Sequence, residues 1–233
     1  MKKVLFWDFD GTIVYSNSLW TDSAAKALKT YSNHDNITSA DIRPYMRSGF
    51  TWHTPDNDYT TIAKDESWWV FMNKHFSSIY QKLGIEKSEA DYISTKIREQ
   101  ILNIENYFLF DDTISTLRAC KEAGYENYIL SNNYPELPQV IEELGIAPYF
   151  SDYIVSALIG YDKPRKEIFE AALEAANYPD ICYMIGDNPV ADIVGSKNVG
   201  MQAILVHKDV QSDADYVCTD LQDILKVLKI VPN

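Results

Sequence analysis

Five short apolar runs punctuate the chain: VLFWD (4–8), NYILS (127–131), DYIVSA (152–157), CYMIG (182–186) and MQAILVH (201–207). Each has strand length, and helical patterns separate the later four. DDTISTLRACKEAG carries acids in its first turn and ends at Gly124, which suits the polarity of a helix. PQVIEELG sets Val140, Ile141 and Leu144 on one face, EIFEAALEAAN repeats Ile168, Ala172, Leu173 and Ala176, and LQDILKVLK repeats Leu221, Ile224, Leu225 and Leu228. Strands that alternate with amphipathic helices form a parallel sheet covered on both faces. The expected class is therefore α/β, a doubly wound, Rossmann-like parallel sheet.

The rhythm breaks once. From Ser16 to Asn103 no strong strand run occurs, and LWTDSAAKALKTY, SWWVFMNKHFSSIYQKLG and SEADYISTKIREQILNI read as helices. Between the first two lies a polar, aromatic loop, RPYMRSGFTWHTPDNDY. We expect residues 16–103 to form a mostly helical cap and residues 1–15 with 104–233 to form the α/β core. An insertion after the first strand stands over the carboxyl edge of the sheet, where open α/β sheets bind ligands. A packed helical layer without a gating role is the alternative.

Chemistry-bearing residues follow the strands. Asp8, Asp10, Gly11 and Thr12 come after the first, Ser131 and Asn132 after the second, Lys163 beyond the third, and Asp187 and Asp192 after the fourth. In a parallel sheet these tips point the same way and can converge. Period-2 geometry puts Asp8 and Asp10 on one side of the strand end, and two like charges so close call for a cation between them. Any one of these residues alone has a plainer role, as a turn acid, a helix cap or a surface lysine.

The four motifs DFDGT, LSN, KP and GDNPVAD, in this order, resemble those of the haloacid dehalogenase-like hydrolase superfamily, in its subgroup with a helical cap after the first strand. The resemblance implies a phosphatase acting on small phosphorylated metabolites with Mg²⁺. Asp8 is placed to attack phosphorus and form an aspartyl-phosphate. Mg²⁺ would relieve the repulsion between carboxylate and phosphate. The resemblance implies Asp8, Asp187 and the backbone carbonyl of Asp10 as ligands, with Asp192 orienting the metal site from behind. The Asp10 carboxyl would act as general acid, then base. Dehalogenases and carbon–phosphorus-cleaving members of the superfamily lack an acid at this place, so Asp10 points to phosphate esters. Ser131 and the Asn132 amide would hold phosphate oxygens, and Lys163 would neutralise transition-state charge. Gly11 allows the close turn that aims amides, including that of Thr12, at the phosphate. A phosphomutase shares every core motif and is the alternative among enzymes; a non-catalytic binding module is the alternative outside them.

Composition narrows the partners. Lys plus Arg is 21 against 34 for Asp plus Glu, a net charge of −13. So acidic a chain is not expected to bind nucleic acid or an anionic membrane, both of which select basic surfaces. The apolar run after the two initial lysines stops at Asp8, too short for a signal peptide. Cys120, Cys182 and Cys218 show no metal or redox spacing, and a cytoplasmic location is expected. Oligomeric state stays open. Within the insertion, the loop with Arg43, Arg47, Trp52 and His53 is expected to select the substrate, with the Ser16–Trp20 segment next in line.

Overall fold

The computed structural model describes residues 1–15, 18–63 and 66–231. Ser16 and Asn17, at the expected start of the cap, lie outside the described residues. A six-stranded sheet runs in the order β3-β2-β1-β4-β5-β6, and every neighbouring pair is parallel. The strands are β1 (Lys3–Trp7), β2 (Glu126–Ser131), β3 (Phe150–Val155), β4 (Ile181–Gly186), β5 (Gln202–Val206) and β6 (Tyr216–Cys218). The α/β class read from the sequence holds. In β1, Val4 to Trp7 are buried without alternation, as a strand covered on both faces requires.

Two differences have local causes. The strand expected over 152–157 starts at Phe150 and stops at Val155, because Ser156–Ile159 coil into a short helix closed by Gly160 at φ +86°. β6 was not anticipated: it has three residues, YVC, and only Cys218 is buried, too short a pattern to show period.

β1 is central, between β2 and β4, so its tip stands at the point where the chain winds outward in both directions. Helices Leu19–Tyr31, Ser67–Lys82, Lys87–Ser94 and Ile97–Ile101 lie between β1 and β2 in sequence. The single helix expected over 88–104 is thus two, parted at Thr95 and Lys96. Trp68, Trp69, Met72, Phe76, Ile79 and Tyr80 are buried, in one apolar cluster with Trp7, Phe9 and Ile13. The insertion and one face of the sheet therefore share a core.

The loop over 43–63 is not free. Tyr59 N–H donates to Gly160 O at 3.0 Å, and the Arg165 guanidinium donates to Asp56 O at 3.1 Å and Asn57 O at 3.0 Å. Gly160 is there for space as well as conformation: a Cβ would stand 2.5 Å from Thr60 Cα. These contacts fix the loop against the β3 end of the sheet. Among the described residues, no helix is long and apolar enough to cross a membrane. The cysteines are free, and Cys120 and Cys218 are buried.

Candidate active site

Parallel register brings the strand tips together. Asp8 follows β1 directly, its N–H donating to Ile185 O of β4 at 2.9 Å. Its Oδ1 accepts from the Phe9 N–H at 2.8 Å and meets Lys163 Nζ at 3.0 Å. One carboxylate oxygen from each of Asp8, Asp187 and Asp192 lies within 4.8 Å of the other two. Asp187 is as close to the first turn as packing allows: a Cβ on Gly11, which sits at φ +76°, would lie 2.6 Å from Asp187 Oδ2. Thr12 is buried with its hydroxyl unpartnered, and its carbonyl meets His207 Nε2 at 3.1 Å.

Lys163 is the hub. Its Nζ reaches Asp192 Oδ1 at 2.6 Å, Asp8 Oδ1 at 3.0 Å and Leu130 O at 2.8 Å, which satisfies all three ammonium protons. Burial works against its charge, but the carboxylates of Asp192 and Asp8 outweigh that and hold its pKa above the ordinary lysine value. Asp192 is fully buried, and its second oxygen accepts from the Asn188 N–H at 2.9 Å. Both its oxygens are therefore engaged. A Cβ on Gly186 would strike Asp192 Oδ2 at 2.1 Å, so glycine at the end of β4 is what lets this carboxylate come in.

Asp10 lies beside Asp8, and its carboxyl pKa is pushed up from 3.8 to about 7, by burial first and by the Asp8 charge second. Asn133 Nδ2 donates to Asp10 Oδ2 at 2.7 Å and pulls the other way. Burial and the Asp8 charge also raise Asp187, against the pull of Lys208. Ser131 is buried at the tip of β2. The Asn132 side chain faces the lysine loop: it donates to Lys163 O at 2.9 Å and accepts from Lys163 N–H at 2.7 Å. This two-way clamp fixes the β2 tip to the Lys163 loop.

Sequence reasoning missed two members. Asn133 gave no signal beyond its place beside Asn132. Lys208 gave none: it follows β5, and its Nζ pairs with Asp187 Oδ2 at 2.7 Å. His207, at φ +59°, stacks on Phe110 at 3.9 Å between ring centroids, which turns the chain so that Lys208 reaches back over the site. Of the four loop residues expected to meet substrate, Trp52 lines the cavity above the carboxylates. Arg43 and His53 line an adjoining groove, and Arg47 lines neither. That cavity, of about 490 Å³, is bounded by Asp8, Asp10, Lys163 and Asp187 on one side and by Leu19, Trp20, Trp52 and Pro55 of the insertion on the other.

A doubly wound sheet with three clustered carboxylates and a buried lysine at its carboxyl edge, under an inserted helical segment, defines an α/β protein with a carboxylate-rich site at its strand ends. The sequence matches the haloacid dehalogenase-like hydrolase family over residues 2–200, and the chain belongs to that family. It is 25% identical over 237 residues to a glyceraldehyde 3-phosphate phosphatase of Pyrococcus furiosus, covering 97% of this chain and 93% of the relative. It is 29% identical over 184 residues to the pyrimidine 5'-nucleotidase YjjG of Escherichia coli, covering 75% and 80%. The fold is shared with the magnesium-bound putative HAD-hydrolase YfnB of Bacillus subtilis at a TM-score of 0.72 and 21% identity, covering 98% of this chain and 99% of that one. A 2-haloacid dehalogenase of Pseudomonas syringae gives 0.71 at 19% identity, again covering 98% and 99%.

Proposed function

We propose that this protein is a Mg²⁺-dependent phosphatase of small phosphate monoesters, working through an aspartyl-phosphate on Asp8. The observation that carries this is Asp8 itself, one oxygen held by Lys163 and the Phe9 N–H, at the floor of a cavity roomy enough for a metabolite. The phosphatase and nucleotidase relatives support a phosphate ester over a haloacid.

An all-oxygen, carboxylate-rich donor set suits a hard divalent cation. Asp8, Asp187 and the Asp10 carbonyl would hold it, while Asp192, with both oxygens engaged, fixes Lys163. Mg²⁺ when bound would offset the negative charge shared by nucleophile and phosphate. In the first step Asp8 attacks phosphorus, and Asp10, whose raised pKa of about 7 leaves part of it protonated near neutral pH, gives its proton to the leaving oxygen. In the second step the Asp10 carboxylate takes a proton from the water that opens the aspartyl-phosphate. Lys163 neutralises charge on the transferring group, and the Ser131 hydroxyl and Asn132 amide hold its oxygens. The inserted segment, residues 16–103, acts as a cap on a core made of residues 1–15 and 104–233, and its wall excludes bulk water during the first step.

Asp8→Asn keeps the size of the side chain and removes its charge. Phosphate release from a panel of monoesters with Mg²⁺ is expected to fall by about 10⁴-fold in this variant, with unchanged thermal unfolding. EDTA is expected to abolish release in the wild type and Mg²⁺ to restore it. Near-normal turnover by pure Asp8→Asn would overturn the assignment, and an isomerised sugar phosphate in place of inorganic phosphate would indicate a phosphomutase.

A further inference from the structure

The cavity wall opposite the carboxylates is apolar and ringed. Leu19, Trp20, Trp52 and Pro55 of the insertion line it, and Val190 faces it from the core. Among the described residues the insertion contributes no Arg, Lys or His to this lining. The two cationic residues of the lining, Lys163 and Lys208, lie on the core side beside Asp8 and Asp187, together with Asn132, Asn133 and Asn188. A second carboxylate or phosphate turned toward the insertion would therefore meet indole and aliphatic carbon, with no cationic side chain of that wall to replace its lost water.

The two indoles are also rigid. Phe50 stacks on Trp52 with ring centroids 4.6 Å apart and planes 21° apart. Phe76 lies nearly parallel to Trp20 at 6.0 Å and 18°. Trp52 is thus backed by the buried Phe50 ring and Trp20 is packed among other aromatic rings, while both remain half-buried and line the cavity. Their own centroids are 6.1 Å apart with planes tilted by 51°, a corner more than a slot. Such a corner accepts one flat ring against one indole face, at little entropic cost because neither tryptophan has to be ordered first.

From this wall we infer that the preferred substrate is a phosphate monoester with an uncharged leaving group that carries an aromatic or heteroaromatic ring, as in a nucleoside 5'-monophosphate, and that Trp52 is a specificity-determining residue. The inference rests on the monoester reading above and selects within it. Phosphate esters of small hydroxy acids and amino acids, which present a second carboxylate, are the disfavoured class.

Thymidine 5'-monophosphate, ribose 5-phosphate and phosphoglycolate separate the terms: ring, bare sugar and second anion. The ring ester is expected to exceed ribose 5-phosphate in kcat/KM by about tenfold, the usual worth of one base stacked on an aromatic side chain. Phosphoglycolate is expected to fall below both. Trp52→Leu, which keeps apolar bulk, is expected to erase about tenfold of the advantage, expressed in KM and not in kcat, while ribose 5-phosphate changes little. A best rate on phosphoglycolate, or an equal loss on all three substrates in the variant, would overturn the inference. Should Trp52→Leu fold poorly, the wild type still decides: thymidine 5'-monophosphate is expected to quench its tryptophan fluorescence at concentrations where phosphoglycolate does not. That binding readout needs no turnover. Quenching without hydrolysis of any ester would reject the phosphatase reading and keep the ring site; hydrolysis without ring preference or quenching would do the reverse.

Discussion

At the scale of single residues, the site is an imbalance of charge held in place by packing. Asp10 is the clearest case. Its folded-state pKa of about 7 against 3.8 for an ordinary aspartate means that between these values the unfolded chain has lost a proton that the folded chain keeps. Stability contributed by this group is therefore complete below about pH 4 and is lost as pH rises toward 7. Asp10→Asn removes the titration, so the metal-free variant is expected to melt several degrees above wild type at pH 8 and level with it near pH 4. Scanning calorimetry in EDTA checks this, and a gap independent of pH would refute it. Lys208 offers a second test. Its ammonium sits 2.7 Å from Asp187 Oδ2, on the carboxylate proposed to hold Mg²⁺, so lysine and metal compete. Lys208→Met is expected to bind Mg²⁺ about five- to tenfold more tightly by titration calorimetry, and to keep most of that gain at high salt, since a contact pair is screened less than a distant charge. Unchanged or weaker binding would show that the two do not compete.

At the scale of elements, loops act through what clamps them. The loop over 43–63 carries Trp52 and Pro55 to the cavity and is itself seated on Gly160 and Arg165. Gly160→Ala combines a left-handed backbone conformation with a Cβ placed 2.5 Å from Thr60 Cα. It is expected to destabilise the protein by about 1–3 kcal/mol and to raise KM for a bulky ester more than for a small one, because the wall moves while the strand tips do not. Chemical denaturation and steady-state kinetics read the two effects. An unaltered KM ratio would mean that the loop's seat does not set the wall.

At the scale of the whole molecule, the chain carries a net charge of −13 yet is proposed to collect dianionic substrates. The overall field opposes their approach, and the site's lysines work only at short range, paired with carboxylates. Moderate salt screens the long-range repulsion more than the contacts, since the Debye length falls from about 30 Å at 0.01 M to about 10 Å at 0.1 M. At saturating Mg²⁺, kcat/KM is expected to rise over that range of KCl. A steady fall would show that local positive potential at the cavity mouth dominates.

Much was legible in the sequence because the signals are local and periodic. Short apolar runs gave five of six strands and the α/β class, and the break after the first strand marked the inserted helices. Asp8, Asp10, Ser131, Asn132 and Asp187 lie at strand ends, whereas Lys163 comes after the short helix that follows β3 and Asp192 lies in a helical turn beyond β4. What the sequence could not carry is whatever depends on two segments meeting. β6 is too short to show a period. Lys208 meets Asp187 beside His207, which stacks on Phe110 from a distant part of the chain. Trp52, not Arg43 or Arg47, lines the cavity because Gly160 and Arg165 seat its loop and Phe50 backs its ring. Periodicity is written in neighbouring residues, so sequence alone determined the main strands and helices and the order of the candidate residues along them. The wall of the site is made by contacts between distant ones, and only tertiary packing decided it.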